Sequence, residues 1–205
     1  MIKVGILDLP GSNSIGIRSA LLRIGSQPEI TREKADLKNY DRLIIPGVGK
    51  FGPASVFLKD SGLGGELGHL AKIGMPILGI CLGFQLLSKS SEESPGYKGL
   101  NLFNGEARQI PRNLVRRIPN IGWRRITKIS SNSDFGFSIG TLFYFAHTYE
   151  VYGGFENEHI ASAEYENYEF VAAMRRENLW GVQFHPEKSH DAGLAFLQSF
   201  TESAK

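Results

Sequence analysis

Within its first 90 residues the chain carries three short apolar runs, each broken by glycine, proline or both, and each followed by a stretch with helical spacing. Ile2 to Leu7 reads IKVGIL and stops at Asp8, Pro10 and Gly11; Arg42 to Ile45 stops at Pro46 and Gly47; Pro76 to Ile80 reads PILGI. Runs this short and this uniformly apolar suit strands buried on both faces. After the first, Ile17, Ala20, Leu21 and Ile24 recur three and four residues apart up to Gly25, which predicts a helix over residues 15–24. A second helical stretch falls between Ala54 and Ile73, and a third is expected from Leu82 to about Lys89. Strands and helices alternating in this way need right-handed crossovers, and so predict an α/β fold with a parallel sheet covered on both faces.

The rest of the chain reads differently. Short extended pieces with glycine and proline punctuation run from Gly96 to Ser130, and Ser130 to Gly140 is a polar, glycine-containing loop. Thr141 to Val151, TLFYFAHTYEV, is rich in aromatic and β-branched residues and is expected to be one strand. EFVAAMRR and LWGVQFH flank Glu177 and Asn178 like a hairpin, and Ala192 to Phe200 reads as a terminal helix turning Leu194 and Leu197 inward, with Phe196 and Phe200 as further candidates. No repeat and no linker divides the 205 residues, so 1–205 reads as one domain, long enough to bury a substantial core.

Gly79-Ile80-Cys81-Leu82-Gly83 places the only cysteine between a predicted strand and a predicted helix. A nucleophile held there sits on a sharp turn, and flanking glycines remove side chains that would collide with the sheet and the helix. Unpaired N–H groups at a helix start also favour an anion. The alternative is a small buried hydrophobe, since free cysteine is among the most buried residue types. A lone cysteine excludes an intrachain disulfide framework and any multi-cysteine metal site, and fits a reducing, cytoplasmic setting. The N-terminus lacks a signal-peptide pattern, and no stretch approaches the roughly 20 apolar residues of a membrane span.

His185-Pro186-Glu187 is the second constellation. The residue before a proline tends to be extended, which would send His185 and Glu187 to the same side, as general base and as the carboxylate that orients it. Pro46-Gly47-Val48-Gly49 is the third: glycines at a strand exit can turn N–H groups toward a developing oxyanion, Leu82 supplying the second donor. Taken singly, a capped strand-end histidine and an ordinary turn are the simpler explanations of these stretches. A formal net charge of +2 implies no nucleic-acid partner, and Arg108, Arg112, Arg116, Arg117, Arg124 and Arg125 form either a solvated face or a docking surface.

PGVG, GICLGFQLL, SEE, IGW, FAHTY and GVQFHPEKS, in that order, resemble the class I, triad-type glutamine amidotransferases, and among them the glutaminase subunits of imidazole glycerol phosphate synthase. The resemblance runs from Ile2 to about Phe200. It implies a Rossmann-like three-layer α/β domain with a mostly parallel sheet that hydrolyses L-glutamine and passes ammonia to a separate synthase, with no cofactor and no metal. It implies Cys81, His185 and Glu187 as catalytic residues, Val48, Gly49 and Leu82 at the oxyanion hole, and Gln85, Glu93, His147, Thr148 and Tyr149 around the substrate. Without it, Gln85 and Glu93 would read as a solvated helix face and His147 as a satisfied core histidine. It implies a (β/α)₈ cyclase partner in histidine biosynthesis, met at Ile121 and Trp123, where Trp123 is otherwise an ordinary core residue. Asp8 to Asn13 reads DLPGSN where the family carries a D-Y-G-x-G-N-like stretch. That departure leaves a paralogous glutaminase, supplying a sugar-modifying synthase of surface polysaccharides, as the alternative. An isolated cysteine hydrolase would instead turn over esters or peptides unaided, and a non-catalytic binding module would leave Cys81 unlabelled.

Overall fold

The computed structural model describes residues 2–131, 133–153 and 158–203. The first part of the chain forms β1 (Lys3–Leu7), α1 (Ser14–Arg23), β2 (Gln27–Thr31), β3 (Arg42–Ile45), α2 (Phe51–Asp60), α3 (Leu63–Lys72), β4 (Ile77–Ile80) and α4 (Leu82–Leu87). The second part forms β5 (Glu106–Gln109), β6 (Asn120–Ile129), β7 (Leu142–His147), β8 (Tyr149–Tyr152), β9 (His159–Tyr165), β10 (Tyr168–Arg176), β11 (Leu179–Val182) and α5 (His190–Glu202).

Among the described residues, nine strands make one sheet in the order β2-β1-β3-β4-β11-β10-β9-β6-β7, and β5 pairs with β8 in a small second sheet. The three apolar runs lie side by side as β1, β3 and β4, and their pairings, with those to β2 and β11, are parallel. From β11 outward the sheet continues antiparallel through β10, β9, β6 and β7. Each face has its own core. Val4, Ile44, Leu78 and Trp180 point toward α1 and α5, meeting Ile17, Leu21, Phe196 and Phe200; Leu43, Ile45, Ile77 and Leu179 point toward α2, α3 and α4, meeting Leu58, Leu67 and Phe84. Each such side chain contributes about 1.5–3 kcal/mol when fully buried. Alternation along the strands, acting on runs apolar at nearly every position, is what yields three layers.

Several expectations need correction. The helical stretch between Ala54 and Ile73 is two helices, because Gly62 takes φ 71° and breaks the helix between them. The third helix stops at Leu87, where Ser88 is extended and its Oγ donates to the Gln85 carbonyl at 2.6 Å. TLFYFAHTYEV is not one strand: it breaks at Thr148, and its two halves enter different sheets. β2, QPEIT, carries no apolar run to mark it, being an edge strand of mixed polarity where Pro28 is tolerated. Loop 130–140, of which Asn132 lies outside the described residues, is not wholly polar: Phe135 packs edge-on against Trp180 and Phe137 against Phe143. The Glu177-Asn178 hairpin and the terminal helix are as expected, the latter burying Phe196, Leu197 and Phe200 while Leu194 is half-buried. Of the arginine cluster, Arg108, Arg112, Arg116, Arg117 and Arg125 are exposed and Arg124 is half-buried.

Candidate active site

β4 ends one residue before Cys81, and α4 begins one residue after it. Cys81 adopts φ 54° and ψ −107°, in the left-handed half of backbone space that L-residues seldom enter. Its N–H donates to the Val182 carbonyl of the neighbouring strand at 2.8 Å, and its carbonyl accepts the first helical bond from Gln85 N at 3.1 Å. The turn is therefore tied at both ends. A Cβ on Gly83 would lie 1.6 Å from the Ile45 carbonyl oxygen, so the helix can approach β3 this closely only with glycine there.

β11, hydrogen-bonded alongside β4, leads into His185. His185 Nδ1 lies 3.1 Å from Glu187 Oε1, and both side chains are almost wholly buried. The two face each other as expected, but not through an extended strand. The chain folds into a short 3₁₀ turn at Pro186–Lys188, with the Ser189 hydroxyl (2.7 Å) and Lys188 N–H (3.0 Å) both donating to the His185 carbonyl. Burial alone would lower the His185 pKa, but hydrogen bonds and charge from Cys81 and Glu187 outweigh it and raise it to about 10. Burial disfavours charge on Glu187; the hydrogen bond and charge of His185, with an amide from Asn13, prevail and hold its carboxyl below the ordinary value. His185 and Glu187 thus stabilise each other as a buried ion pair beside Cys81.

A pocket of about 470 Å³ opens over Cys81 and His185 and is lined by Val48, Gly49, Leu82 and Gln85, and by Glu93 and the His147–Tyr149 segment. Glu93 Oε2 accepts the Phe51 N–H at 2.8 Å, which ties this wall to the start of α2. His147 is neutral: burial lowers its pKa to about 3 despite its bond to the Tyr149 carbonyl. With Nδ1 on that carbonyl (3.0 Å) and Nε2 on the Asn120 amide (2.9 Å), both ring nitrogens are engaged within the protein, as in a satisfied core histidine. It shapes the wall.

The expected oxyanion donors are not preset. Val48 N–H donates to the Gly11 carbonyl and Leu82 N–H to the Gly47 carbonyl, each at 3.2 Å. The Pro46–Gly49 segment lies against the Gly11 loop, and this contact takes the Val48 donor that the glycines were expected to aim at the pocket. Trp123 is not a core residue. It is 40% exposed and stacks on His190 with ring centroids 5.1 Å apart, while Ile121 is 56% exposed at the pocket edge. The buried tryptophan is Trp180.

Two residues of the site were not read from the sequence. Gln183 is fully buried, and its Nε2 donates to Cys81 Sγ at 3.5 Å. A lone amide in the apolar run LWGVQF, two positions before His185 and so on its side of the chain, was the available signal. Asn13 donates from Nδ2 to Glu187 Oε1 at 2.9 Å. Its loop is closed by Asp8, which accepts from the hydroxyls of Ser12 (3.1 Å) and Ser14 (2.9 Å) and from Arg32 Nε (2.9 Å). No spacing rule links residues 174 positions apart.

A cysteine on a strand–helix elbow, facing a histidine–carboxylate pair from the adjacent strand, is the arrangement of a thiol-dependent acyl-transfer enzyme. The family model for glutamine amidotransferase class-I matches residues 7–203. The imidazole glycerol phosphate synthase subunit HisH of Wolinella succinogenes is 40% identical over 205 residues, covering 97% of this chain and 98% of the relative. The chloroplastic imidazole glycerol phosphate synthase hisHF of Arabidopsis thaliana is 37% identical over 199 residues, 96% of this chain and 33% of that longer protein. A crystal structure of a glutamine amidotransferase shares the fold, with a TM-score of 0.77 at 20% identity over 98% of this chain and 99% of that one. The chain belongs to the class-I glutamine amidotransferases and, within them, to the family of the HisH subunits. Among the described residues, no helix is long and apolar enough to cross a membrane.

Proposed function

We propose that the chain is the glutaminase subunit of an imidazole glycerol phosphate synthase, acting as one domain in a reducing cytoplasm. It hydrolyses L-glutamine to glutamate and ammonia and passes the ammonia to a (β/α)₈ cyclase subunit in histidine biosynthesis. The observation that carries this reading is the buried Cys81–His185–Glu187 set at the floor of a pocket, in a chain 40% identical over nearly its full length to a HisH subunit. The names of the relatives favour this acceptor over a sugar-modifying synthase.

The chemistry follows from the geometry. His185 takes the thiol proton of Cys81 as Sγ attacks the γ-carboxamide carbon of glutamine, whose carbonyl oxygen becomes an oxyanion. His185 returns the proton to nitrogen, the C–N bond breaks, and ammonia leaves a γ-glutamyl thioester. Water then gives a proton to His185 and adds to the thioester carbon; the C–S bond breaks and glutamate departs. Glu187, itself held by Asn13, keeps the imidazole ring in place throughout. Gln85, Glu93, Thr148 and Tyr149, with the ring of His147, enclose the glutamine. Val48, Gly49 and Leu82 serve the oxyanion once the Pro46–Gly49 segment gives up both its bond to the Gly11 carbonyl and the bond its Gly47 carbonyl accepts from Leu82 N–H. An oxyanion donor of this kind is worth about 10²–10³ in rate. The exposed Ile121 and Trp123 beside the pocket form the face that the cyclase subunit covers.

The test supplies glutamine to the chain with and without the cyclase subunit loaded with its acceptor, and measures glutamate. Glutamate formation should rise with the loaded partner and vanish in Cys81→Ala. Activity that ignores the partner, or survives that substitution, overturns the reading.

A further inference from the structure

Two buried side-chain amides connect the wall of the substrate pocket to the nucleophile. Gln85 Nε2 donates to the Tyr149 carbonyl at 2.8 Å and to Gln183 Oε1 at 3.3 Å, and Gln183 Nε2 donates to Cys81 Sγ at 3.5 Å. Gln183 is fully buried and Gln85 nearly so. A glutamine amide can be placed either way round, but here the neighbours decide. A backbone carbonyl only accepts, so Gln85 must turn its nitrogen toward Tyr149. That same nitrogen reaches Gln183, which must answer with its oxygen, and the remaining amide nitrogen then faces the sulfur. Reversing Gln183 would set two donors against each other and a carbonyl oxygen against the sulfur lone pairs.

We propose that Gln183 is a positioning residue for the glutaminase reaction: its N–H steadies the Cys81 sulfur as charge gathers there, and Gln85 and the Tyr149 carbonyl set its orientation. The chain of amides runs one way, from a pocket-wall carbonyl to the attacking atom. With both hydrogens of Gln85 Nε2 committed, its Oε1 is left for a ligand in the pocket. Engagement of Gln85 by substrate and readiness of Cys81 are therefore mechanically joined. Hydrogen bonds to charged groups are the stronger class, and losing one of this kind corresponds to about 10- to 100-fold in rate.

The proposal rests on the glutaminase reading, and its test separates the two. Gln183→Met keeps the length of the side chain and removes the donor; Gln85→Met removes the group that orients it. The first readout is the rate of Cys81 alkylation by iodoacetamide at fixed pH, and the second is kcat and KM for glutamine in complex with the loaded cyclase subunit. Gln183→Met should alkylate about tenfold more slowly, and should lose at least tenfold in kcat with KM held within about threefold. Gln85→Met should also slow alkylation, and the double variant should be no slower than Gln183→Met, because Gln85 reaches the sulfur only through Gln183. Alkylation within twofold of the parent in Gln183→Met, or additive losses in the double variant, overturns the proposal. Should Gln183→Met fail to fold by circular dichroism, Gln85→Met alone decides: unchanged alkylation overturns the proposal and slowed alkylation supports it. A parent chain that alkylates normally but forms no glutamate would overturn the glutaminase reading instead.

Discussion

Cys81 is held where few side-chain-bearing residues settle, at a cost of about 1–3 kcal/mol. What holds it is local and specific: the Val182 carbonyl on its N–H, the Gln183 amide on its sulfur, and the His185–Glu187 pair beyond. That pair links activity to folding. His185 binds its proton more tightly in the folded chain (about 10) than at its ordinary value of 6.5. Its contribution to stability is complete below 6.5 and is lost as pH climbs through about 10. Glu187 works in the other direction, its contribution present above its ordinary value and lost as acid drives pH through its lowered one. Urea unfolding between pH 6.5 and 10 should therefore show stability declining with pH, and His185→Gln should flatten that decline. An equal slope in the variant would mean that other groups carry it.

At the scale of elements, the site depends on how closely α4 can approach the sheet. Gly79 and Gly83 are both required by contact: a Cβ on Gly79 would come within 2.6 Å of the Gly83 carbonyl oxygen, and one on Gly83 within 1.6 Å of that of Ile45. Backbone atoms offer no flexible end that could yield. Gly83→Ala should cost about 3 kcal/mol or more in urea unfolding and, in whatever folded protein remains, slow Cys81 alkylation as the elbow is pushed off β3. Elements of this kind were legible in the sequence where composition was uniform. β1, β3 and β4 are apolar at nearly every position and could only be central strands, whereas β2 and β9 mix polar and apolar residues and owe their conformation to the strands beside them. The break at Thr148 was hidden for the same reason: both halves of that segment have the composition of a strand, and only membership of different sheets separates them.

For the whole molecule, the pocket mouth and its surroundings form one face. Val48 and Ile121 are exposed at its rim, and Trp123 lies nearby, supported from beneath by His190 and edge-on to Tyr144 at 6.0 Å. A tryptophan braced in this way loses little side-chain freedom when a partner covers it, and such residues dominate interface energetics. Trp123→Ala should weaken binding of the cyclase subunit by about 2 kcal/mol, roughly 30-fold in Kd by calorimetric titration. A Kd within threefold of the parent would place the interface elsewhere.

By itself the sequence determined the chemistry and the layers. One cysteine between two glycines, at the end of an apolar run, had few places to be, and the HPE turn restricted its partner just as tightly, because local sterics and alternation act within a few residues. What only the tertiary structure decided are the relations between distant segments. Asn13 reaches Glu187, Gln183 faces Cys81 and connects to Gln85, Val48 is bonded to Gly11, and Trp123 lies outside the core. Each of these depends on which strands are neighbours and on which donors find an acceptor once the chain has closed. Composition and spacing do not encode that, because hydrogen-bond partners are chosen by packing.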